Sequence, residues 1–271
     1  MRHSDRESFN NCPQAYRYRQ DGLSKIEESS SSNHASWGSA IHKGLEAHYG
    51  GKSAKDAFLA DYPENIDEDD LAKNKESGLV VLEAYAKHYS GIDQMWEVLS
   101  TEELGQVEIG GENHDLHIDL VARHRQSGEI YLWDHKTTEK RASPTYWRSF
   151  ELSAQLTRYC VFVKERYGQC SGAIINNISV GHRKRAYKGE PAGFHFQFER
   201  QMFNRTPQQI AFWKESEEGW MKLIGFCEKE GVWPKALGKL CAWCSYYELC
   251  MASGDEQIKE LMYETKKEVK A

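Results

Sequence analysis

The sequence predicts an α/β protein with a mixed central sheet flanked by helices, and three observations carry that prediction. Helical periodicity marks both ends of the chain, three strand-like runs follow one another at 96–109, 114–124 and 129–136, and a further apolar strand at 171–180 comes after a long helical stretch. The order helix, three strands, helix, strand, with a helical and cysteine-rich tail, suggests an α/β core.

The elements are justified in turn. A first helix is expected from Ser4, where Ser4 and Glu7 form the S-x-x-E capping pattern. A second, over 35–49, carries WGSAIHKGLEAHY, and a short helix follows near 53–60. Over 71–90, Leu82, Tyr85 and Tyr89 fall at helical spacing. The Ser29 to Ser32 run and the acidic stretch 61–70 read as loops. After the three strands a long helix is expected over about 144–167, and another over about 206–230 follows the fourth strand.

With 271 residues the chain can bury a sizeable core. Against 41 acidic side chains stand 35 basic ones, a formal charge of −6. That excludes a uniformly basic DNA coat but leaves room for a nucleic-acid enzyme with a local basic groove. No apolar run is long enough for a membrane-spanning helix, so no membrane partner is expected. The first residues lack the apolar stretch of a signal peptide, which predicts a cytoplasmic protein with reduced thiols. Of the seven cysteines, Cys160, Cys170 and Cys227 read as small packing residues.

The most informative chemistry lies in HIDLVARHRQSGEIYLWDHKTTEK (117–140). Residues two apart on a strand share a face, so Asp134 and Lys136 point one way and His135 the other. A turn at Ser127-Gly128 would bring Asp119 beside Asp134. Two carboxylates meeting in a partly buried place repel unless a cation separates them, and hard oxygen ligands suit Mg²⁺ or Mn²⁺. Ordinary strand-end charges are the plainer alternative. His42 lies upstream in GSAIHKGLE, where Gly38, Ser39 and Gly44 permit close packing against a sheet. Gln155 and Tyr159 are i and i+4 and so share a helical face.

G-x-x-x-H, then D, then D-x-K, then Q-x-x-x-Y, in this order, resembles the PD-(D/E)XK nuclease superfamily, specifically its RecB-like branch. The resemblance covers 38 to 180 and implies a metal-dependent DNA exonuclease acting on DNA ends or single strands. It implies His42, Asp119 and Asp134 as metal ligands, joined by the backbone carbonyl of His135. Lys136 becomes the catalytic lysine, and Gln155 with Tyr159 the branch-specific motif. Of Glu102 and Glu103 on the first strand, Glu102 is preferred as a further acidic residue. Relatives often carry Gly two residues before the first Asp; this chain has His117, which adds a polar group there.

Cys12 stands near the start, and Cys241, Cys244 and Cys250 form C-x2-C-x5-C in the tail. Four such thiolates suit either tetrahedral Zn²⁺ or a [4Fe–4S] cluster. The same pattern marks iron–sulfur relatives among AddB-type recombination nucleases, CRISPR-associated adaptation nucleases and phage exonucleases, so the resemblance implies the cluster. The expected organisation is a single domain over 1–271, with a core at about 35–200 and a cysteine staple joining 1–20 to 232–255. Two basic stretches, with Lys140, Arg141 and Arg148 in the first and Arg183, Lys184 and Arg185 in the second, are expected to flank a DNA channel. Tyr146, Trp147 and Tyr187 sit among them as candidates for stacking on unpaired bases. Spacer processing, or DNA binding through an iron–sulfur module without cleavage, are the alternatives, and partners could include a second copy or a recombination or replication protein.

Overall fold

The computed structural model describes residues 3–26, 33–63, 70–186 and 189–265. Ser29 to Ser32, most of the acidic stretch and Tyr187 lie outside them, as does the side chain of Ser4 with its expected cap.

The chain opens with α1 (His3–Asn11) and α2 (Pro13–Gln20), split at Cys12, which takes an extended conformation ahead of Pro13. A short β1 (Leu23–Lys25) leads to α3 (Asn33–Tyr49), α4 (Ala54–Asp61) and α5 (Lys75–Asp93). A reciprocal capping box between Asn74 and Ser77 starts α5. The strands β2 (Trp96–Ile109), β3 (Glu112–His124) and β4 (Ile130–Thr138) follow. Gly110 and Gly111, both at positive φ, make the tight link from β2 to β3. Then come α6 (Pro144–Arg148), α7 (Ala154–Tyr167), β5 (Gly172–Arg183), β6 (Gly193–Phe203) and α8 (Pro207–Glu230). A 3₁₀ turn at Lys239–Trp243, α9 (Tyr247–Met251), α10 (Glu256–Met262) and β7 (Tyr263–Thr265) complete the chain.

The five-stranded sheet runs in the order β2-β3-β4-β5-β6, with β4 and β5 parallel and the pairs β3–β4 and β5–β6 antiparallel. This is the mixed sheet expected from the element order. Two differences from the sequence reading have clear causes. The expected helix over 144–167 is broken into α6 and α7, because Ser143 and Ser153 each cap a new helix start with their side chains. A fifth sheet strand, β6, was not anticipated, although Phe194, Phe196 and Phe198 alternate at the period of a strand.

The chain divides into two compact units. One comprises 32–107 and 115–213, and its core packs Trp37, Ile41 and Leu45 of α3 with Phe58, Leu82 and Tyr85, closed by Ile178 and Val180 of β5. The interior strand β5 is buried from Gly172 through Val180, as a strand covered on both faces requires. The other unit comprises 1–31, 108–114 and 214–271. Phe9, Tyr16, Ile224 and Cys227 form one of its clusters, and Leu23, Leu249 and Tyr263 another. Its β1 and β7 pair antiparallel, Leu23 opposite Thr265, so the first and last described segments share one small sheet. Among the described residues no helix is long and apolar enough to cross a membrane.

Candidate active site

The β3–β4 hairpin sets the geometry. Its ladder pairs Arg123 with Ile130 and ends at Leu120 opposite Trp133, so Asp119 and Asp134 come next, where the strands part. The turn has Gly128 at φ +75°, a conformation that suits glycine. Beyond the last pair, Asp119 Oδ2 accepts the backbone N–H of His135 at 2.6 Å. The expected approach of the two aspartates is therefore present.

His42 reaches them from α3, with Nδ1 3.6 Å from Asp119 Oδ1. Gly38 makes the approach of the helix feasible, since a Cβ there would meet Thr137 Oγ1 of β4 at 3.2 Å. Gly44, by contrast, faces Leu82 of α5 rather than the sheet, and Ser39 bonds Asp61 of α4 at 3.0 Å. Glu102 comes from β2 at φ +49°. Ligand atoms of His42, Glu102 and Asp119 lie within 4.8 Å of one another, the only such trio among the described residues. Glu103 turns away to Tyr167 at 2.6 Å and Ser100 at 2.5 Å, so Glu102 is the one the fold brings to the trio. His117, the unusual residue before Asp119, holds Glu102 Oε2 at 2.8 Å, and Lys43 stands 3.8 Å from the same oxygen.

Electrostatics mark the place. Burial opposes the anionic form of Asp119, but the hydrogen bond and charge of His42 outweigh it and hold the carboxyl at about 2. Burial likewise opposes a charged His42, yet Asp119, with Asp134 and Glu102, raises its pKa. Asp134 moves the other way: burial and the nearby Asp119 push it up despite Lys136. Lys136 Nζ lies 2.7 Å from Asp134 Oδ2, an ion pair at contact distance. One imidazole and three carboxylates, two of them crowded enough to oppose each other's charge, suit a hard divalent cation such as Mg²⁺ or Mn²⁺.

On the Asp134 face, Gln155 Nε2 donates to Tyr159 Oη at 2.9 Å, the shared helical face that the spacing implies. Both Asp134 and Lys136 act on the Tyr159 hydroxyl, which burial raises above its usual pKa. Tyr146 Oη donates to Asn177 Oδ1 at 2.9 Å, and its ring packs edge-on to Trp147 and Phe150. These two aromatics are thus part of a packed cluster rather than free stacking faces.

Sequence reasoning missed what lies behind His135. Burial holds this imidazole neutral, with its pKa lowered to about 3. It stacks on Tyr49 at 5.8 Å and meets Asn176 Nδ2 at 2.9 Å. The latter belongs to a hydrogen-bonded set that includes the buried Tyr85 and the half-buried Asp93 and Arg200. Its members are scattered along the chain, and only strand register reveals them.

Of the basic residues, Lys140, Arg148, Lys184 and Arg185 are exposed. Arg183 pairs with Glu190, and Arg141 bonds Gln197 and approaches Glu190 at 3.9 Å. In the other unit, the thiols of Cys12, Cys241, Cys244 and Cys250 are free and half-buried and do not close to the mutual 4.8 Å of a compact ligand set. They are nonetheless neighbours: burial raises the Cys244 thiol, and the thiols of Cys12, Cys241 and Cys250 raise it further. Cys160 and Cys227 are buried, as packing residues should be, and Cys170 is half-buried.

A solved structure described as a "putative exonuclease" from Eubacterium rectale matches with a TM-score of 0.53 at 13% identity, covering 89% of this chain and 86% of that one. At this identity the likeness is one of fold. The solved structure of SSO0001 aligns over 76% of this chain and 81% of its own at 12% identity, with a TM-score of only 0.32. No curated protein matches. The sequence profile of the PD-(D/E)XK nuclease superfamily matches residues 3–251, nearly the whole chain, and the chain therefore belongs to that superfamily.

Proposed function

We propose that the protein is a metal-dependent DNA exonuclease of the RecB-like branch, hydrolysing phosphodiester bonds at DNA ends or in single strands. The observation that carries the reading is the convergence of His42, Glu102 and Asp119 at the point where the β3–β4 ladder opens, beside Asp134 and Lys136. In this reading His42, Glu102, Asp119, Asp134 and the backbone carbonyl of His135 hold Mg²⁺ or Mn²⁺. Such an ion supplies activation of water and offsets charge on the leaving oxygen. Lys136 stays protonated, because Asp134 outweighs the burial that would lower its pKa. Its ammonium is placed to orient the water or to meet negative charge on the phosphate. Gln155 and Tyr159 fix the lysine's surroundings and offer donors to the DNA backbone.

DNA is the substrate, with Lys140, Arg141, Arg148, Arg183, Lys184 and Arg185 neutralising its phosphates on the flanks. The whole of 1–271 works as one nuclease domain in the cytoplasm of a bacterial cell or phage-infected host, in replication, recombination or repair. Cys12, Cys241, Cys244 and Cys250 hold a [4Fe–4S] cluster of structural role in this reading. What supports the cluster over zinc is the resemblance of the cysteine pattern to that of iron–sulfur relatives.

End-labelled linear single strands, linear duplex and covalently closed circular single strands, each with Mn²⁺ or with chelator, test the reading. Progressive shortening of the linear substrates alone, abolished by chelator, is expected. Cleavage of the circle at the same rate would contradict the exonuclease assignment.

A further inference from the structure

His135, Asn176 and Arg200 stand in register on three adjacent strands: β4 and β5 pair His135 with Asn176, and β5 and β6 pair Asn176 with Arg200. Their side chains form a continuous hydrogen-bonded row behind the site, and the chemistry of each partner fixes its direction. Arginine only donates, so Asn176 Oδ1 is the acceptor of Arg200 Nε at 3.1 Å. Asn176 Nδ2 is then the donor to Tyr85 Oη at 2.8 Å and to His135 Nδ1 at 2.9 Å. An imidazole nitrogen that accepts carries no proton, so the proton of the neutral His135 ring sits on Nε2.

The far end of the row is anchored by the half-buried Arg200 guanidinium. Arg200 Nη1 donates to Asp93 Oδ1 at 2.7 Å, and Nη2 to the hydroxyls of Tyr49 and Tyr85 at 2.8 Å each. The guanidinium lies 3.3 Å from the centroid of Tyr89 and 4.5 Å from that of Trp133. An ion pair largely withdrawn from water is a poor device for stability alone, since apolar residues of similar volume commonly do as well or better. This one leads through Asn176 to a histidine whose backbone N–H holds Asp119 Oδ2 at 2.6 Å. Tyr49 ties the same row to α3, the helix that carries His42, by stacking on His135 with ring planes 11° apart.

We propose that Asn176 and Arg200 are positioning residues of the metal site: they lock His135 in its Nε2–H form and thereby fix the β4 backbone that holds Asp119 among the ligands. The inference rests on the metal-site reading given above. Groups that orient metal ligands without touching the ion commonly change metal affinity 10–100-fold when altered.

The test uses the full chain labelled with ¹⁵N-histidine, with His135 assigned by the signal missing in His135→Gln. Nitrogen shifts report which ring nitrogen carries the proton, and Mn²⁺ titration calorimetry reports affinity. Wild-type protein is expected to show Nε2–H. Asn176→Asp still accepts from Arg200 but offers His135 an acceptor in place of a donor, so the ring should switch to Nδ1–H and Mn²⁺ affinity should fall about 10–100-fold. Asn176→Leu should lose affinity to a similar extent, and Arg200→Lys less, with melting temperatures showing that each variant is folded. Should Asn176→Asp not fold, the wild-type tautomer and the Asn176→Leu affinity decide the matter. An Nδ1–H wild type, or folded Asn176 variants with wild-type Mn²⁺ affinity, overturns the positioning role and leaves the metal site standing. A wild-type protein without Mn²⁺ affinity overturns the metal-site reading, and this proposal with it.

Discussion

Glu102 sits at φ +49°, a left-handed conformation that few residues other than glycine adopt without cost. The strain coincides with its place beside His42 and Asp119, and His117 and Lys43 both hold its carboxylate. Glu102→Gly should therefore keep or slightly raise the melting temperature of the metal-free protein, by up to about 1 kcal/mol in stability, while abolishing the stabilisation that Mn²⁺ gives. Glu103→Gln loses only contacts to Ser100, Tyr167 and Arg166 and should leave DNA cleavage within about twofold. Thermal melts with and without Mn²⁺ check the first, and initial cleavage rates the second. At this scale the aspartate pair was legible, because D-x14-D around a Ser-Gly turn is simple register arithmetic. The choice between Glu102 and Glu103 was not, since adjacent residues on a strand differ only in face and a local left-handed residue changes which face is which. The Asn176–Arg200 row was illegible, because no local pattern tells which residues of distant strands stand side by side.

Helix α5 carries two glycines with opposite environments. A Cβ on Gly78 would stand 2.2 Å from the Phe58 ring, whereas one on Gly91 would meet nothing within 4 Å. Gly78→Ala should destabilise by about 1–3 kcal/mol through overpacking. Gly91→Ala should stabilise by about 0.5–1 kcal/mol through helix propensity. Equilibrium denaturation of the two variants reads both signs, and equal effects would show that the α4–α5 packing is misjudged. Most elements were visible in the sequence because their apolar periodicity survives in the folded core. The break between α6 and α7 was hidden by apolar residues on both sides of it, although Ser153 offered the stop-and-start signal. Strand β6 was masked by its neighbours: a basic stretch before it and a helix cap after it. Thr206 and Gln209 form that cap, which gives the stretch FNRTPQQ a structural role.

At the scale of the whole molecule, strand pairing, a hydrogen bond and an ion pair join the first and last described segments. The β1–β7 ladder, Tyr246 Oη on Leu23 O at 2.9 Å and the Lys25–Glu248 pair at 3.0 Å all tie the first residues to the tail. If the proposed four-thiolate cluster is held, Cys12→Ala should remove iron, about four atoms per chain in anaerobically purified wild-type protein, and open the segment around α1 and α2 to protease. The β1–β7 pairing should keep its protection. Iron analysis beside limited proteolysis checks this, and a Cys12→Ala protein with full iron content contradicts the four-thiolate assignment. Composition foresaw the polar, acidic character of the chain, but the division into two compact units, with the hairpin tip at 108–114 grouped with both chain ends, follows from tertiary packing that no local pattern records. The account as a whole stands on the place where β3 and β4 part. The most direct test is the Mn²⁺-dependent cleavage of linear end-labelled DNA by Asp134→Asn beside wild type. That variant keeps the volume of the side chain while removing the charge that burial and Asp119 already disfavour. The account predicts a folded protein of wild-type melting temperature whose cleavage rate falls by at least about 10²–10³-fold. A folded Asp134→Asn protein that cleaves at the wild-type rate would contradict it.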